Sequence, residues 1–84
     1  PKYAFAHNNL GALLEKLGKD ADAEASYREA IKVDPKYARA HVNLGVLHEH
    51  DDPEAARACY RRALALRPEF PAAEEGLARI ASRA

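Results

Sequence analysis

Pro1-Lys2-Tyr3-Ala4-Phe5-Ala6-His7-Asn8-Asn9-Leu10-Gly11 returns 34 residues later as Pro35-Lys36-Tyr37-Ala38-Arg39-Ala40-His41-Val42-Asn43-Leu44-Gly45, with nine of eleven places identical. Chance does not produce such agreement, and self-similarity at this period marks a stack of repeated units. The second halves of the units match as well. Ala23-Glu24-Ala25-Ser26-Tyr27-Arg28-Glu29-Ala30-Ile31 aligns with Ala56-Arg57-Ala58-Cys59-Tyr60-Arg61-Arg62-Ala63-Leu64, here at an offset of 33. The second unit has therefore lost one residue, near the turn at Asp51.

Within each unit the pattern is helical. Leu10, Leu13, Leu14 and Leu17 recur at the helical period, which predicts a helix over 4–17. Gly18 stops it, because glycine takes positive φ at least cost. A second helix is expected over 20–33, with Ala23, Tyr27, Ala30 and Ile31 inward. Asp34-Pro35 breaks it, since a residue before proline is pushed out of helical geometry. The third helix is expected over 37–50. The fourth starts at an Asp52 N-cap, with Pro53 in the first helical place and Glu54 near the positive dipole end, and runs to Leu66. The fifth is expected over 70–83. Gly11 and Gly45 sit inside helices, where glycine costs about 1 kcal/mol against alanine. A close crossing is the reason to keep them there: Gly11 near Ala23 and Gly45 near Ala56, with Tyr27 and Tyr60 filling the wider gap between units. The expected fold is all-α, an α-solenoid of antiparallel helix pairs. Its parts are repeat one at about 4–37, repeat two at about 38–70 and a closing helix at about 70–83.

Composition agrees. At 84 residues the chain is one domain, rich in Ala, Leu, Glu, Lys and Arg and poor in the β-branched residues that favour strands. Thirteen basic and thirteen acidic residues give zero formal net charge, spread along the chain. No concentrated basic patch is evident, so nucleic acid is not an expected partner; Arg57, Arg61 and Arg62 read as a solvated helix face. No apolar run reaches the ~18–20 residues of a membrane span, and no membrane association is expected. The single cysteine, Cys59, forms no internal disulfide, and an intracellular, cytoplasmic setting is favoured. The chain starts at Pro1 rather than Met, so a piece of a longer array is expected, with further repeats on the Pro1 side.

The spacing of these residues resembles the tetratricopeptide repeat, W-x₂-L-G-x₂-Y, then A-x₃-F, then P. Unit one reads His7-x₂-Leu10-Gly11-x₂-Leu14, Ala23-x₃-Tyr27, Pro35; unit two reads His41-x₂-Leu44-Gly45-x₂-His48, Ala56-x₃-Tyr60, Pro68. His7 and His41 depart from the Trp. The closing helix keeps Leu77 but has Ala78 where the packing glycine would stand, so it reads as a polar cap carrying Glu74, Glu75, Arg79 and Arg83. The resemblance implies a right-handed superhelix whose first helices line a concave groove that holds a peptide or helix of a partner protein. The groove stripe implied is Phe5, Asn8, Asn9, Ala12 and Lys16 in unit one, Arg39, Val42, Asn43, Val46 and His50 in unit two, and Ala72, Glu75, Gly76 and Arg79 in the closing helix. Asn9 and Asn43 recur at one place in the repeat. An amide both donates and accepts, so it can hold a peptide backbone without reading side chains. This is similar to the asparagine ladder in the repeat region of O-linked N-acetylglucosamine transferases. The carboxylate clamp of co-chaperones uses Lys, Asn, Asn, Lys and Arg at the places held here by Asn8, Ala12, Asn43, Ala72 and Gly76; only Asn43 agrees, and without the cations that mode is rejected.

No chemistry of catalysis or metal binding is expected, and no cofactor. His48 and His50 are two places apart and diverge around a helix; His41 and His48 share a face but occupy places that are aromatic in the family, so they read as core or partly buried residues. Cys59 has no nearby histidine and takes the place of Ser26, so it reads as a thiol on an outer helix face. No glycine-rich phosphate loop is present. The rival to a binding module is a structural segment of a longer array, such as the non-catalytic arm of a glycosyltransferase-like parent, associating end to end. An exposed apolar face on the first helix, around Phe5, Leu13 and Leu17, favours that rival.

Overall fold

A computed structural model describes residues 2–83. Among these residues there are five α-helices and no strand: α1 (Lys2–Lys16), α2 (Asp20–Val33), α3 (Ala38–His48), α4 (Pro53–Leu66) and α5 (Pro71–Arg83). Their ends follow local chemistry. Gly18 takes φ +77° after α1. Asp34, before Pro35, leaves the helix in extended geometry, φ −142° and ψ 93°. The Asp52 side chain accepts from the Ala55 amide at 3.2 Å and so caps α4, with Pro53 in its first turn. Two expected ends move by two residues and three by one. α1 already begins at Lys2. α3 ends at His48, two residues short of 50, because the shortened second unit must turn sooner; the Asp52 amide reaches back to the His48 carbonyl at 2.8 Å.

Turns of a few residues make consecutive helices antiparallel neighbours. The inner row is α1, α3 and α5, in which the backbone of α3 approaches both others, while the backbones of α2 and α4 in the outer row stay apart. A stack whose one row is in contact and whose other row is splayed must curve toward the first. The molecule is an all-α stack of antiparallel pairs. No helix among the described residues is long and apolar enough to cross a membrane.

The largest fully buried side chains are Tyr27, Tyr60 and Phe70. Tyr27 packs with Ala23 and Leu44, against Leu14, Ile31, Leu47 and Cys59, and so joins unit one to unit two. Tyr60 packs with Val42, Ala56, Ala63, Phe70, Ala73 and Ile80, and so joins unit two to α5. The glycines serve these rings. A methyl on Gly11 would stand 2.5 Å from Tyr27 Cε1, and one on Gly45 2.9 Å from Tyr60 Cε1. Each glycine makes room for a tyrosine ring, a partner that the expected crossing with Ala23 and Ala56 did not include. The closing helix has also not shed its packing glycine. Gly76 is buried, and a methyl there would collide with the Tyr60 ring from the other side. Alignment at a constant spacing pointed to Ala78, which is exposed.

Candidate functional site

The inner row carries three adjoining hollows. The first, of about 640 Å³, lies between α1 and α3 and brings together Phe5, Asn8, Asn9, Ala12, Arg39 and Asn43, with Lys36, Leu66 and Arg67 at its edge. The second joins Ala12, Lys16, Asn43 and Val46 with Glu15 and Tyr27. The third holds Val46, His50 and Arg79 with Glu15, Asp20, Glu49 and Arg83. On α3 one residue of the stripe is misplaced: Val42 is 2% exposed and belongs to the core around Tyr60, because α5 covers it. In the closing helix Gly76 is also misplaced, buried under Tyr60, while Ala72 is partly buried on the same core and Glu75 is exposed.

The amides are not arranged as equal rungs. Asn43 Nδ2 donates to Asn8 Oδ1 at 2.9 Å, across α3 and α1. Asn8 is buried at 4% exposure, yet it still edges the first hollow. Asn9 is exposed in the same hollow. Each Asn has one carbonyl and two N–H groups, so the Asn8–Asn43 bond leaves donors and an acceptor over.

Sequence reasoning missed the strongest polar feature. Glu49 is 5% exposed and accepts three hydrogen bonds, from Tyr60 OH at 2.6 Å and from Arg79 Nε and Nη2 at 2.9 and 3.0 Å, and it pairs with Arg83 Nη1 at 3.0 Å. The Arg79 guanidinium outweighs the burial that opposes it and, with Tyr60, holds the carboxyl near a pKa of about 2. Burial, with Glu49 beside it, pushes the Tyr60 phenol up. Arg79 therefore lines the third hollow with one side engaged. Unit one has the simpler form of this pair, Tyr27 OH donating to Glu15 Oε1 at 2.8 Å. The signal was present: Glu15 and Glu49 recur at 34 residues, as their tyrosines do at 33.

The histidines divide. His41 is buried and its Nε2 donates to the Pro35 carbonyl at 3.0 Å, tying α3 to the turn before it. His48 is half-buried beside Glu24 and Asp51, and His50 is exposed. Among the described residues no group of three or more His, Cys, Asp or Glu side chains could hold a metal ion. Cys59 is not on an outer face as expected. It is half-buried against the Tyr27 cluster, and burial pushes its thiol up, disfavouring the thiolate a nucleophile needs.

Two profiles of the tetratricopeptide repeat match the chain. One covers residues 4–37, which hold nearly all of α1 and all of α2, and the other covers 49–84, which hold α4 and α5. α3 lies between the two matched segments. No curated protein matches the chain. Repeats of this kind generally mediate protein–protein interaction and are typically non-catalytic scaffolds. With the paired-helix stack, the tyrosines seated on glycines and two matches that span most of its length, the chain belongs to the tetratricopeptide repeat family.

Proposed function

We propose that the chain binds a peptide or helix of a partner protein along the inner row of α1, α3 and α5. The observation that carries this is the continuity of the three hollows, which share Ala12, Asn43, Glu15 and Val46 and so make one track. The division at about 4–37, 38–70 and 70–83 gives that track its period. Asn9 and the Asn8–Asn43 pair supply backbone-directed donors and acceptors along it. Replacing Asn9 and Asn43 together by Ala is expected to weaken capture of a bound peptide by about 1–3 kcal/mol. Affinity unchanged within twofold, at unchanged helix content, removes the amides from the account.

A second reading has its own observation. Tyr3, Leu10 and Leu13 on α1 and Leu17 in the turn after it form an apolar stripe, each about half or more exposed (68, 47, 53 and 63%). Leu10 and Leu13 are the counterparts of Leu44 and Leu47, which in unit two are covered by packing around Tyr27 of α2. The stripe is therefore a packing surface without its cover, which suits end-to-end association or a place within a longer array.

A further inference from the structure

The charges along the track are uneven. Lys36, Arg39 and Arg67 line the first hollow, and among the described residues no Asp or Glu lines it. In the third hollow the cations are matched: Arg79 and Arg83 both pair with Glu49, and Glu15 and Asp20 stand beside them. Two of the first hollow's cations are fixed on one buried ring. The Arg39 and Arg67 guanidinium carbons lie 4.8 and 4.3 Å from the Phe70 ring centroid. Like charges held this way repel, and with no carboxylate lining the hollow that repulsion stands until an anion enters. The first turn of α3 forms one wall through Tyr37, Ala38 and Arg39. That helix has no capping side chain and no acid in its first turn, so its positive end adds to the same field.

We propose that the first hollow is an acid-reading subsite, taking an Asp or Glu side chain of an extended peptide between Lys36, Arg39 and Arg67. Asn9 and Asn43 would hold the backbone beside it, and the half-exposed Phe5 would meet an apolar neighbour. This rests on the peptide-track reading above and adds to it a sign of charge and a register. The peptide's acidic residue lies at the end near the α2–α3 turn. The matched third hollow is indifferent to charge.

The test uses the chain itself and an array of nine-residue peptides carrying Glu, Gln or Lys at each place on an Ala-Pro-Ser background. The best binders are then remade with fluorescein and measured by anisotropy at low salt. The expected result is a preference for Glu over Gln at one place, on the order of tenfold, that weakens as salt rises. Lys36→Gln and Arg67→Gln should each cut that Glu-over-Gln preference to within about threefold. Arg67 touches Phe70, and its loss could loosen α5; Lys36 is exposed and keeps the test valid. Binding without charge preference overturns the inference and leaves the peptide track standing. A preference that survives in both variants places the acid elsewhere and overturns it too. No binding by any peptide removes both readings. A twenty-residue oligothymidine that binds more tightly than the best Glu peptide assigns the hollow to nucleic acid and overturns it.

Discussion

Glu49 gives up nearly all contact with water and receives three hydrogen bonds and an ion pair in exchange from α4 and α5. Removing one member of such a group leaves the others without their charge. The arginines are nearly half exposed and can turn to water, so the loss falls below that of a fully buried pair. Glu49→Ala is expected to cost about 2–3 kcal/mol in urea unfolding. The same carboxyl sets a pH dependence. Its pKa lies near 2 folded against 4.5 as its ordinary value, so its contribution is full above about 4.5 and is lost as pH falls through 2. Acid unfolding between those limits should be shallower in Glu49→Ala than in the wild type. Gly76 makes the opposite point. In an open helix Gly→Ala would gain about 1 kcal/mol, but here the methyl enters the Tyr60 ring, whose hydroxyl is held by Glu49. Gly76→Ala should therefore destabilise by about 1–3 kcal/mol, read from the thermal midpoint. The sequence showed that Gly11 and Gly45 were packing glycines but not against what, because ring and glycine lie on different helices. It hid Gly76, because the closing helix does not keep the period.

At the scale of elements, turn chemistry was the most legible part. Gly18, Asp34-Pro35 and the Asp52-Pro53 start act on their own neighbours, so their positions can be read locally. The end of α3 was not, because the deletion in unit two tightens its turn. Which face of a helix is covered also depends on what stands next to it. Val42 looked like a groove residue by analogy with Asn8, and α5 buries it. The α1 stripe shows the same dependence from the open side. If it associates between copies, sedimentation equilibrium should show a concentration-dependent rise above the monomer mass. Replacing Leu10, Leu13 and Leu17 by Gln should abolish that rise with helix content unchanged. A wild type that stays monomeric at every concentration removes self-association.

For the molecule as a whole, the proposed function rests on curvature. The backbones of the inner helices approach one another and those of the outer helices stay apart, which suits a track on the inner side and a convex back. The repeat period made the stack and most track residues legible. The charge along the track was not, since Lys36 and Arg67 come from turns between helices rather than from the stripe. The most direct measurement is an amide chemical-shift titration of the labelled chain with a bound peptide. The account predicts perturbations concentrated at Asn9, Ala12, Arg39, Asn43, Val46 and Arg79, with Ala25, Glu29, Ala58 and Arg62 on α2 and α4 unmoved. Perturbations centred on α2 and α4, with the inner row silent, would contradict it.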